Sequence, residues 1–79
     1  MTIEQVRRLY DAQPFQPFVI HLADGRQHTV PSRELMMTSP TGRTIGLYQA
    51  DGTANIIDLL LVSDLEIEPA VNGARRKKR

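Results

Sequence analysis

Two histidines, His21 and His28, are the side chains best suited to chemistry, because they flank the dipeptide Asp24-Gly25 in Phe18-Val19-Ile20-His21-Leu22-Ala23-Asp24-Gly25-Arg26-Gln27-His28-Thr29-Val30. Asp-Gly between alternating runs signals a hairpin with a two-residue type I′ turn, whose central residues take positive φ. Counting outward from that turn pairs Leu22 with Gln27, His21 with His28, and Val19 with Val30. One face then carries Phe18, Ile20 and Leu22 toward a core. The other carries Val19, His21, His28 and Val30, so the imidazoles stand opposite each other. Two imidazoles in that position could hold a metal ion or ligand. A structural zinc site wants four ligands and a catalytic one three plus water, and only Asp24 or Glu34 is placed to join them. A solvated cross-strand pair is the plain reading, and a metal- or ligand-binding barrel using His21 and His28 is an alternative.

Ser32, Ser39 or Ser63 could be set beside a histidine and an aspartate, but no nucleophile elbow or oxyanion loop accompanies them. No glycine-rich phosphate cradle is present. The chemistry points away from an enzyme, and no cofactor is implied. A different signal lies at the end of the chain, where Arg75-Arg76-Lys77-Lys78-Arg79 carries +5. Residues 1–74 hold five arginines against nine acids, a net −4, under an overall charge of +1. An acidic body repels phosphate, so any nucleic-acid binding would rest on Arg75, Arg76, Lys77, Lys78 and Arg79. That tail has no interleaved aromatics on which bases could stack, and its binding would be weak and nonspecific.

Seventy-nine residues make one small domain. A core of this size supplies no more than roughly 3–5 kcal/mol, which favours partner subunits. The absence of cysteine excludes disulfides and thiolate metal sites and fits a reducing, cytoplasmic setting. Met1–Arg8 does not read as a secretory signal, and the run Leu59-Leu60-Leu61-Val62 is too short to span a bilayer, so no membrane role is expected.

The positioning elements follow from pattern. Thr2-Ile3-Glu4-Gln5 is a capping box, and Ile3, Val6 and Tyr10 share a face, which predicts a helix over 3–12 that Pro14 ends. Phe15 and Phe18 are expected to plug one end of the core rather than form an aromatic binding platform. Pro31-Ser32-Arg33-Glu34 breaks the second strand, after which Leu35-Met36-Met37 continues as a bent strand. Strands follow at 44–49 and 54–58, joined by a second Asp-Gly turn at Asp51-Gly52. Leu59–Ser63 is a helical turn or a strand end. Leu65-Glu66-Ile67-Glu68 is a last strand, stopped by Pro69, and 70–79 is a disordered basic tail. One helix and five short strands over 1–69 predict a mainly β fold: a small, bent, five-stranded antiparallel barrel of Sm-like or SH3-like kind, which limits exposed edges.

That order resembles the Sm-like fold, including the bacterial Sm-type RNA chaperone. Ile20-His21-Leu22-Ala23-Asp24-Gly25 is similar to its first motif, and Leu61-Val62-Ser63-Asp64-Leu65-Glu66-Ile67 stands in place of the second. The family's bending glycine would fall near Val30, and its nucleotide-holding positions near Asp58 and Leu59, where an aspartate opposes RNA. The segments Pro14–Arg26 and Ile56–Glu66 also resemble a group of small uncharacterised bacterial proteins, which implies no activity. The expected function is a non-enzymatic protein-interaction module, self-associating as a homo-oligomer through edge segments 54–58 and 65–68. A nucleic-acid binder with affinity in the tail is the alternative.

Overall fold

The computed structural model describes residues 1–67, so Glu68, Pro69 and the basic tail with Arg75–Arg79 lie outside the described residues. The chain is mainly β with one short helix, α1 (Ile3–Tyr10). Six strands follow: β1 (Phe18–Leu22), β2 (Gln27–Val30), β3 (Met36–Thr38), β4 (Thr44–Tyr48), β5 (Ala54–Asp58) and β6 (Val62–Ile67). They lie in two antiparallel three-stranded sheets, ordered β2-β1-β6 and β3-β4-β5. The stretch read as one bent second strand is two strands, because Pro31 and a 3-10 turn at Arg33–Leu35 hand the chain from one sheet to the other. A second 3-10 turn, Leu59–Leu61, returns it to the first sheet.

Helix α1 begins as its sequence requires. Gln5 reaches back, and its Oε1 accepts from the Thr2 N–H at 3.1 Å. The helix closes at Tyr10, two residues before the expected end, where the Asp11 N–H donates to the Arg7 carbonyl at 2.8 Å. Val6 is fully buried in the core, with Ile3, Leu9 and Tyr10 packed against it. Phe18, Ile20 and Leu22 of β1, Ile45 and Leu47 of β4, and Val30, Met36, Ile57, Leu59 and Val62 complete that core. Phe18 is inside it as expected, and Phe15 packs against it with ring centroids 5.9 Å apart.

Both hairpins differ from the expected two-residue turn. Leu22 donates its N–H to the Arg26 carbonyl at 2.8 Å, and Gly25 donates to the Leu22 carbonyl at 3.0 Å, so Ala23-Asp24-Gly25 is a three-residue loop. Gly25 has φ +94, and no described residue other than glycine has positive φ, which excludes a type I′ turn. The cause is local. Asp24 Oδ1 accepts from the Arg26 N–H at 3.1 Å and Oδ2 from Arg26 Nε at 2.9 Å, which closes an Asx turn that one left-handed glycine completes. Ala50-Asp51-Gly52 repeats the arrangement, with Gln49 donating to the Thr53 carbonyl at 2.8 Å and Gly52 at φ +93.

One extra loop residue slips the register by one. Phe18 pairs with Val30, Ile20 with His28 and His21 with Gln27. Val30 therefore points into the core, where it is buried. The expected opposition of His21 and His28 is replaced by their placement on opposite faces of the sheet.

Candidate functional site

The separated histidines have different surroundings. On the outer face, His21 Nε2 lies 2.8 Å from Glu66 Oε1 across the β1–β6 pairing, with Asp64 directly opposite in register. His28 lies on the core face beside Ile20, and its Nε2 is buried without a hydrogen-bond partner. Asp24, one of the two residues that could have joined the histidines in the metal-binding alternative, is committed to Arg26. No group of three or more His, Cys, Asp or Glu among the described residues is placed to hold a metal ion. The serines are not brought to a histidine ring. Ser63 donates its hydroxyl to the His21 carbonyl at 3.1 Å, at a bulge in β6, and Ser39 Oγ pairs with Thr41 Oγ1 at 2.7 Å.

The carboxylates with perturbed titration are those of the hairpin loops. The Arg26 backbone N–H, aided by its guanidinium, lowers the pKa of Asp24, and the Thr53 backbone N–H and hydroxyl lower that of Asp51. Both side chains are exposed and serve turn geometry.

The structure instead assembles an apolar surface on the outer face of β3-β4-β5. Met37, Gly46 and Ile56 are register partners in one row across the three strands, and Tyr48 and Ala54 are partners in the next outward-facing row. Ile56 is 82% exposed, Met37 63% and Tyr48 59%. Local rules explain the arrangement. In β4, alternation sends Ile45 and Leu47 inward, leaving Gly46 and Tyr48 outward. In β5, Ile57 pairs with buried Ile45, so its neighbour Ile56 must face solvent. Gly46 allows the Met37 side chain to lie across the middle strand, since a Cβ there would stand 3.2 Å from Met37 Cγ.

Two shallow depressions flank this row. One of about 300 Å³ is lined by Leu35, Met37, Gly46, Tyr48, Ala54 and Ile56. The other, of about 360 Å³, runs past Met37 and Ile56 to Ser39, Pro40 and Thr44. Both are open to solvent, a shape suited to a flat partner more than to an enclosed small molecule.

The surface abuts a free edge. β5 has β4 as its single strand neighbour, and β6 has β1, so both segments expected at edges are at edges among the described residues. Beyond β5, Leu60 is 80% exposed on the 3-10 turn that Asp58 caps by accepting the Leu60 N–H at 2.9 Å. The expectation of edge strands reached β5 but missed Met37 and Tyr48. The usable signals were Met36-Met37 and Ile56-Ile57, since two successive apolar residues in one strand cannot both face one core. No helix among the described residues is long and apolar enough to cross a membrane. No family model matches the chain, and no curated protein or solved structure matches it.

Proposed function

We propose that this chain is a non-enzymatic protein-contact module that self-associates through the open β5 edge of β3-β4-β5 and the apolar residues beside it. The observation that carries the reading is the row of Met37 and Ile56, with Tyr48 beside it, exposed next to the open edge of β5. Contiguous exposed apolar side chains on a small domain mark an interaction surface, and an unpaired strand edge offers directional hydrogen bonds beside it. The modest core gives association a stabilising role as well.

In this reading the two sheets are halves of a small, bent, Sm-like barrel, with β2 and β3 as one interrupted strand. What supports it is the order of elements, in which a 3-10 turn precedes β6 and β6 returns to β1. The lack of cysteine supports action in a reducing compartment such as the cytoplasm. Light scattering over a wide concentration range tests the reading. Self-association gives a mass that rises above 8.9 kDa with concentration, and a constant 8.9 kDa overturns it.

A further inference from the structure

We propose that two copies of this chain join edge to edge through β5, antiparallel and two-fold symmetric, with Ile56 opposite Ile56 of the second copy. This rests on the self-association reading above and assigns it a strand, an orientation and a register.

The backbone sets the orientation of the free groups. Gln49 donates to the Thr53 carbonyl at one end of the β4–β5 ladder, and Leu59 donates to the Arg43 carbonyl at the other. Antiparallel ladders alternate between bonded and non-bonded pairs. Between those ends, therefore, Asn55 and Ile57 turn their N–H and C=O groups toward β4. Ala54, Ile56 and Asp58 turn theirs away from β4, toward an edge where no other described strand lies.

Symmetry and charge then select the register. With the axis at Ile56, Ile56 pairs with its own copy and Ala54 pairs with Asp58 of the second copy. Every outward-directed backbone group of β5 finds a partner, which no other two-fold register achieves over Ala54–Asp58. An axis at Asp58 would set like charges directly opposite, which is destabilising. The axis at Ile56 holds the two Asp58 carboxylates four residues apart along the strands, about 14 Å at the antiparallel rise.

The side chains agree with this register. The apolar row runs unbroken as Met37, Gly46, Ile56 and then the same residues in reverse order, over a six-stranded sheet. On the same face, Ala54 lies between Tyr48 of its own sheet and Asp58 of the second copy. Its small side chain leaves the Tyr48 hydroxyl room to reach that carboxylate, with the two Cα atoms about 10 Å apart by strand spacing. The Asp58 Oδ1 caps Leu60, which leaves Oδ2 to accept. The β5 edge thus complements itself, as an isologous contact requires.

The full chain contains no cysteine, so introduced thiols report without background. In the proposed register, Ile56→Cys forms a disulfide-linked dimer under mild oxidation, because bonded pairs hold Cα atoms about 5.5 Å apart, within disulfide range. Ala54→Cys and Asp58→Cys do not cross-link singly but do so when mixed. Ile56→Pro keeps its fold by circular dichroism, since an edge strand tolerates proline where the N–H faces outward, yet has the monomer mass. If wild type associates but this cross-linking pattern is absent, the β5 register is wrong and self-association stands. If wild type stays at 8.9 kDa throughout, both fail.

Discussion

Replacing Arg33 removes a clamp that joins the first 3-10 turn to the end of α1. Arg33 Nε donates to the Tyr10 carbonyl at 2.7 Å, and Nη2 donates to the Ala12 carbonyl at 2.8 Å, in a half-buried setting. Its guanidinium lies 5.4 Å from the Phe15 ring centre and 6.0 Å from that of Tyr10. The Tyr10 carbonyl is among those a helix end leaves unpaired, the Ala12 carbonyl lies just beyond the C-cap Asp11, and a cation there also suits the helix dipole. Hydrogen bonds to charged donors contribute about 1.5–3 kcal/mol each when well desolvated, and half-burial places these at or below the lower bound. With a ring contact of about 0.5–1 kcal/mol at an exposed site, Arg33→Ala should cost about 3 kcal/mol. In a domain this small, that lowers the melting temperature by roughly 12–24 °C. Arg33→Lys keeps the charge but cannot span both carbonyls, so it should recover less than half of the loss. Urea unfolding followed by circular dichroism measures both. A change below about 0.5 kcal/mol for Arg33→Ala would show that the clamp is not a stabilising contact.

Other perturbations follow from the loops and from His28. Gly25→Ala or Gly52→Ala meets no atom within 4 Å, so its cost is the positive φ alone, about 1–2 kcal/mol by denaturant unfolding, and no loss would refute the left-handed geometry. Asp24 and Asp51 have lowered pKa values in the folded state, so their stabilisation is present above the ordinary value of 3.8 and fades as pH falls through the folded values. The double variant Asp24→Asn, Asp51→Asn keeps both turn acceptors and should show a shallower loss of stability below that pH; an unchanged slope would count against this origin. His28→Leu removes a buried nitrogen that has no partner and places a leucine beside Ile20, which should raise stability by about 1 kcal/mol, whereas a loss of that size would mean the ring makes a needed contact.

The readable parts of the fold were those written locally. The Gln5 back-bond of α1, the chain break at Pro31 and the strands at 44–48 and 54–58 each follow from a few adjacent residues. The hairpin loops were located by Asp24-Gly25 and Asp51-Gly52 but misjudged in length. A two-residue turn and a three-residue loop ending in a left-handed glycine use the same dipeptide, and the choice depends on Asx bonds to Arg26 and Thr53. That single residue moved Val30 into the core and parted His21 from His28. The full extent of β6 was hidden because the bulge beside Ser63 breaks its alternation, so the visible pattern began only at Leu65. The Arg33 clamp joins residues more than twenty positions apart, and no local pattern announces it. The apolar face was legible in the doublets Met36-Met37 and Ile56-Ile57, whereas its assembly into one row depends on the pairing of β3 and β5 with β4.

Self-association through β5 is tested most directly by measuring the mass of wild type and of Ile56→Lys side by side by light scattering across a wide concentration range. Ile56 is exposed in the single chain, so the lysine should leave the fold intact while placing charge at the centre of the apolar row. The wild-type mass should climb from 8.9 kDa toward about twice that value, and the variant should remain at 8.9 kDa. Equal masses for the two proteins at every concentration would contradict it.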